Sequence, residues 1–225
     1  MKISSSEIDI DIEPDQIELS SIKDSFNLVI LGDSSVGKTS ILERYCNDFF
    51  KREKFFQNSL IIYKKIYSYL NHKYLIKFWD PPNFIDNCND SEINMFNNSD
   101  GFIYVCSYDN PDSLIHINKW YQFLTQYVDL STKEMILLIN KSDLKEENKL
   151  INEKQIEKKS KDLQLRYFEM SAKTGENVSK SINKFINKII DKYRNNNKND
   201  YIEQDNKNES DNDKENDKDD GCLIV

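Results

Sequence analysis

A chain of 225 residues with 38% hydrophobic content is long enough for one domain with a real core, and its formal net charge of −8 is unevenly placed. Residues 1–24 carry two basic and seven acidic side chains, and residues 195–225 carry four basic and ten acidic ones, which leaves the middle at about +3 by subtraction. Acidic ends around a mildly basic middle exclude general nucleic-acid binding through the termini, and no nucleic-acid partner is expected. Cys46, Cys88, Cys106 and Cys222 form no C-x-x-C pair and read as reduced thiols of a cytosolic protein. No N-terminal apolar run resembles a signal peptide, Lys2 excludes N-myristoylation, and apolar stretches such as Met135 to Ile139 are only strand-length.

In chain order, Ile8-Asp9-Ile10-Asp11-Ile12 alternates as an edge strand would, but residues 1–24 are expected to form a flexible acidic arm. The globular part is expected over residues 25–194. Strand-like apolar runs fall at 26–31, 60–69, 74–80, 101–106, 135–140 and 166–170. Helical patterns fall at 38–48, 112–128, 153–162 and 176–193. This alternation predicts an α/β fold with a mostly parallel six-stranded sheet and helices on both faces. The runs at 60–69 and 74–80 are joined by Leu70-Asn71-His72-Lys73 and predict an antiparallel hairpin at one edge. Beyond Arg194 the composition falls to Asn, Asp, Lys and Glu, which cannot bury enough apolar surface to offset ordering entropy, so residues 195–225 are expected to be disordered.

Gly32-Asp33-Ser34-Ser35-Val36-Gly37-Lys38-Thr39 matches G-x-x-x-x-G-K-[ST] between a strand and a helix, followed by Ser40. Loop amides and the helix N-terminus there can wrap phosphate oxygens, with Lys38 reaching the β- and γ-phosphates and the Thr39 hydroxyl a ligand for Mg²⁺. Asn140-Lys141-Ser142-Asp143 follows the next-to-last strand. The Asp143 carboxylate can accept from the N1–H and exocyclic amine of guanine, a donor pair adenine lacks on that edge. Asn140 can tie this loop to the phosphate loop, and the Lys141 stem can cover a ring face. The backbone of Ser171-Ala172-Lys173 can meet the base oxygen. Asp80 ends its strand within W-D-P-P-N-F and is a candidate metal carboxylate. His72 and His116 read as a surface turn and a helix-face residue.

This ordered set of motifs resembles the small GTPases of the Ras superfamily over about residues 25–194. The resemblance implies the P-loop small G-protein fold, binding of GTP or GDP with Mg²⁺, a monomeric regulator of vesicle traffic or signalling, and effector, exchange-factor and GTPase-activating partners. It also puts Phe50 against the guanine ring. Ser34-Ser35 is similar to Rab members, whereas Ser107 to Leu114 and the single-cysteine ending are closer to Ras or Rho members. Two departures stand out. Gln57 occupies the position of the threonine that senses Mg²⁺ and the γ-phosphate, with Ser59 two residues on. In the second sensor, Asn83 replaces the mobile glycine and Phe84 the glutamine that orients the attacking water, so no catalytic residue is assigned. Slow hydrolysis is expected, and a non-cycling interaction module is the alternative. Cys222-Leu223-Ile224-Val225 fits C-a-a-X, with prenylation at Cys222, of geranylgeranyl type, as the expectation. One lipid chain beside Asp217-Lys218-Asp219-Asp220 implies a cytoplasmic protein with weak, reversible attachment to the cytosolic face of membranes.

Overall fold

The structure, a computed structural model of the chain, describes residues 8–10, 22–51, 59–82 and 88–215. Seven strands form one sheet: β1 (Ile8–Ile10), β2 (Ile22–Leu31), β3 (Ile61–Tyr69), β4 (His72–Asp80), β5 (Gly101–Ser107), β6 (Glu134–Asn140) and β7 (Arg166–Glu169). Their spatial order is β1-β3-β4-β2-β5-β6-β7. Only β3 and β4 pair antiparallel; every other neighbouring pair is parallel. Five α-helices are described: α1 (Lys38–Asn47), α2 (Asp90–Asn97), α3 (Pro111–Leu124), α4 (Glu153–Asp162) and α5 (Val178–Glu215).

The alternating pleat of the central strands sorts their apolar side chains onto two faces. Val29 and Leu31 of β2, Phe102, Tyr104 and Cys106 of β5, and Leu137 and Ile139 of β6 share one core. That core also contains Phe96 of α2, Leu114, Ile117 and Trp120 of α3, and Ile156 of α4. The intervening residues Leu28, Ile30, Ile103, Val105, Ile136 and Leu138 are equally buried. Here α1 contributes Ile41, Leu42 and Tyr45, and the Tyr45 ring meets Phe78 of β4 edge-on at 5.5 Å. Strands buried on both faces read as continuous apolar runs, and β5 is buried at all seven positions.

The order reverses at β2, which lies between β4 and β5. In open α/β sheets the crevice outside the carboxyl ends of the strands at such a reversal is where ligands sit. The G-x-x-x-x-G-K-T loop leaves β2 at that point, and the loops carrying Asn140 and Ser171 leave β6 and β7 at the same end.

Four differences from the sequence reading have local causes. Ile8–Ile10 is an edge strand rather than flexible arm, because the outer edge of β3 offers its backbone a parallel partner at Ile61–Tyr63. The hairpin turn is only Leu70-Asn71, both at positive φ (49° and 62°), a two-residue geometry that suits the twist of the strands it joins. His72 and Lys73 therefore belong to β4. Helix α2 was not foreseen, although Asn89 and Glu92 form a reciprocal capping box before it. Helix α5 continues to Glu215 where disorder was expected, since no Gly or Pro interrupts it between Val178 and Glu215. The chain divides into two compact units after Phe185, and the described part of the second, residues 186–215, is helical.

Replacing Asn89 with Ala removes the α2 cap and should lower the unfolding free energy by about 1 kcal/mol. Urea denaturation would register this as a lower midpoint with an unchanged slope.

Candidate functional site

The phosphate-loop sequence folds as a tight cradle because its two glycines sit where side chains cannot. Gly32 has φ 147°, and a Cβ there would run into the Val105 carbonyl of β5. Gly37 has φ 98°, caps α1, and a Cβ there would run into the side-chain amide of Asn140. Ser35 at the crest also adopts positive φ, 64°, and both Ser34 and Ser35 are exposed, whereas Val36 is buried. Lys38 begins α1 and turns back across the loop, donating to the carbonyls of Gly32 (2.8 Å) and Asp33 (3.0 Å). Burial pushes its ammonium pKa below the ordinary lysine value, against Asp80 and Asp33, which pull it up. Ser40 is half-buried in the first turn of α1.

The structure brings Thr39 and Asp80 together. The Thr39 hydroxyl donates to Asp80 Oδ2 at 2.6 Å, and Asp80 is fully buried at the end of β4. One hydroxyl and one carboxylate are a hard-oxygen pair of the kind Mg²⁺ uses beside phosphates, keeping its other positions for water and substrate. Among the described residues, no group of three or more His, Cys, Asp or Glu gathers into an all-protein metal cage.

Asn140 holds the second half of the site to the first. The residue is 2% exposed. Its amide donates to the Val36 carbonyl at 2.8 Å, and its oxygen accepts from the Ala172 amide at 3.1 Å. The loops after β2, β6 and β7 thus share one buried amide. Beside it, Asp143 Oδ1 accepts from the Ser171 hydroxyl at 2.6 Å, and Oδ2 lies 3.1 Å from Lys173 Nζ. Burial raises the Asp143 pKa, but the Ser171 and Lys173 hydrogen bonds outweigh it and hold the carboxyl below its usual value. Asp143 is therefore an acceptor-only carboxylate at neutral pH. Lys141, at φ 68°, bonds the Ser35 carbonyl at 2.9 Å and Asp109 at 2.7 Å, which stretches its stem along the site. Phe50 lies half-buried just beyond α1, and its neighbour Phe49 is 48% exposed.

Three supports escaped the sequence reading. Arg44 of α1 donates to the Ala172 carbonyl (Nε, 3.0 Å) and the Lys173 carbonyl (3.0 Å), fixing the loop after β7. Asp109 anchors Lys141 and accepts from Ser107 Oγ at 2.7 Å. His116 is not a bland helix-face residue: its Nδ1 lies 2.7 Å from Asp33 Oδ2. Each joins residues far apart in sequence, so no local pattern could announce it. Gln57, Asn83, Phe84 and Cys222 lie outside the described residues; of the stiff segment after Asp80, Pro81 is buried and Pro82 half-buried. Ser59 is half-buried before β3.

The Ras family model matches residues 27–191. The chain is 28% identical over 165 residues to the Ras-related protein Rab-27B of Rattus norvegicus, covering 68% of this chain and 74% of that one. It is 28% identical over 158 residues to Rab-10 of Diplobatis ommata (69% and 76% covered). It is 29% identical over 160 residues to RabG2 of Dictyostelium discoideum (70% and 79% covered). A phosphate-loop site at the reversal point of a mostly parallel sheet, with this match along the domain, defines a small GTPase. The chain belongs to the Ras family, whose members bind guanine nucleotides, and among them it is Rab-like.

Asn140→Ala would orphan the buried Val36 carbonyl and the Ala172 amide together. The expected loss is about 2–4 kcal/mol of unfolding free energy, read by chemical denaturation of the nucleotide-free protein. A loss below about 0.5 kcal/mol would contradict the bridging role.

Proposed function

We propose that this protein binds GTP and GDP with Mg²⁺ but hydrolyses GTP slowly, and that it acts as a Rab-like regulator of vesicle traffic through effector proteins. What supports the reading most is the Asn140 bridge, which ties a phosphate cradle to an ionised carboxylate suited to guanine. In this reading the amides of residues 32–40 and Lys38 hold the phosphates, and Asp143 accepts from the guanine edge. Lys141 and Phe50 flank the ring, and the Ser171-Ala172-Lys173 backbone meets the base oxygen. Thr39 and Asp80 would hold Mg²⁺, whose charge, when bound, offsets that of the β- and γ-phosphates.

Slow turnover rests on sequence position. Phosphoryl transfer in this class is positioning plus electrostatics, so losing the side chain that orients the attacking water removes much of what the protein contributes. Phe84 has no hydrogen-bonding atom on its side chain. Pro81 and Pro82 lack backbone N–H groups and stiffen the exit from β4. Gln57 and Asn83 in place of the usual threonine and glycine weaken the distinction between GTP and GDP forms. A ligand that contacts two states alike cannot shift their balance.

Single-turnover hydrolysis of bound GTP should run below the order of 10⁻⁴ s⁻¹ typical of unassisted members. A rate at or above that value would overturn the slow-turnover assignment. Acceleration by cell extract would show a cycling GTPase served by an activating partner, and no acceleration would favour the non-cycling interaction module.

Attachment to membranes follows from the tail. Among the described residues no helix is long and apolar enough to cross a membrane. We assign weak, reversible attachment through a prenyl group on Cys222 to the ending Cys-Leu-Ile-Val, with acidic neighbours opposing anionic lipid. Cys222→Ser should move the membrane-associated fraction to the supernatant on fractionation; an unchanged distribution would reject the anchor.

A further inference from the structure

Asp33, second residue of the phosphate loop, does not send its carboxylate to solvent. One oxygen lies 2.7 Å from His116 Nδ1 and the other accepts from Trp120 Nε1 at 3.2 Å. The two donors are four residues apart on α3 and therefore rise on one face of that helix. A carboxylate only accepts, so the 2.7 Å approach assigns the His116 proton to Nδ1. The Asp33 and His116 side chains are 18% and 32% exposed, and Trp120 is buried. Through its backbone carbonyl the same Asp33 receives Lys38 Nζ at 3.0 Å. One residue thus joins α3 to the lysine that closes the cradle.

The rest of the loop is secured by other means. Gly32 is pressed against the Val105 carbonyl, and Val36 is held by Asn140. Between these points Ser34 and Ser35 are exposed, and the side chain of Asp33 connects the ascending limb to α3 through two hydrogen bonds. Releasing it would remove this tie between α3 and the limb whose carbonyls receive Lys38.

We propose that His116 and Trp120 are positioning residues of the nucleotide site: through the Asp33 carboxylate they fix the phosphate-loop limb that orients Lys38, and so slow nucleotide release. The proposal rests on the guanine-nucleotide reading above. It makes His116 and Trp120 of α3 determinants of how long nucleotide is retained.

The test uses the full chain loaded with fluorescent GDP in Mg²⁺, chased with excess unlabelled GDP, with melting temperature measured alongside. His116→Leu removes one charge-assisted hydrogen bond and should speed GDP release about 10-fold. His116→Asn places an amide N–H where Nδ1 stood and should stay within about twofold of wild type. Trp120→Phe keeps most of the buried ring and should speed release about threefold. Adding His116→Leu to Asp33→Ala should bring little beyond the Asp33→Ala effect, because both remove the same link. A merely structural role would lower the melting temperature of the His116→Leu protein and leave its release rate within twofold of wild type, overturning the proposal. Equal acceleration by His116→Leu and His116→Asn would overturn it as well. If the His116→Leu protein fails to fold, an unchanged release rate in Trp120→Phe overturns it instead. A wild-type protein that retains no GDP would remove the parent reading, and this one with it, which distinguishes the two failures.

Discussion

Everything at the carboxyl edge of the sheet depends on one buried amide. Asn140 gives its N–H to the Val36 carbonyl and takes the Ala172 N–H, so three loops from non-adjacent segments are held at one point. Gly37 is obligatory in this arrangement, since a Cβ there would occupy the place of the Asn140 amide. Buried polar groups that are fully paired specify a single geometry, whereas losing one partner costs far more than the pair nets. The bridge sits where β2 reverses the sheet order, so the cradle and Asp143 share a crevice the fold already provides. Arg44, Asp109 and Asp33 then tie the same loops to α1, β5 and α3.

A site anchored this way separates two properties that usually travel together. In the proposed reading, retaining nucleotide draws on the cradle, Lys38, the Thr39–Asp80 pair and the Asp143 carboxylate, which lie at or just beyond the ends of β2, β4 and β6 and at the start of α1. Reading the γ-phosphate needs mobile backbone and two particular side chains after β4 and before β3. In this sequence those positions carry Pro81, Pro82, Asn83, Phe84 and Gln57. The proposed reading therefore pairs nucleotide retention with a weaker distinction between the GTP and GDP forms.

Much of this was legible in the sequence because the chemistry is local. The phosphate loop, the Asn140–Asp143 segment and Asp80 are short motifs at strand ends, and apolar runs such as Met135 to Ile139 marked their strands. The two-residue turn at Leu70-Asn71 lacked the usual glycine, and so it was read too long. Helix α2 is short, with only Met95 and Phe96 buried, so its periodicity was faint, though its capping box was readable. Strand β1 depends on a partner edge more than fifty residues away, and α5 runs on through polar sequence that composition alone assigned to disorder. His116 shows the limit most clearly: nothing around it in sequence announces a carboxylate 83 positions earlier.

The central claim is that the cradle and the Asp143 carboxylate together hold a guanine nucleotide independently of switching. The most direct measurement is the identity and stoichiometry of nucleotide released on denaturing the protein purified in Mg²⁺, resolved by ion-exchange chromatography. The account expects close to one guanine nucleotide per chain, with a substantial share still GTP because turnover is slow. A protein that releases adenine nucleotide, or none, would contradict it.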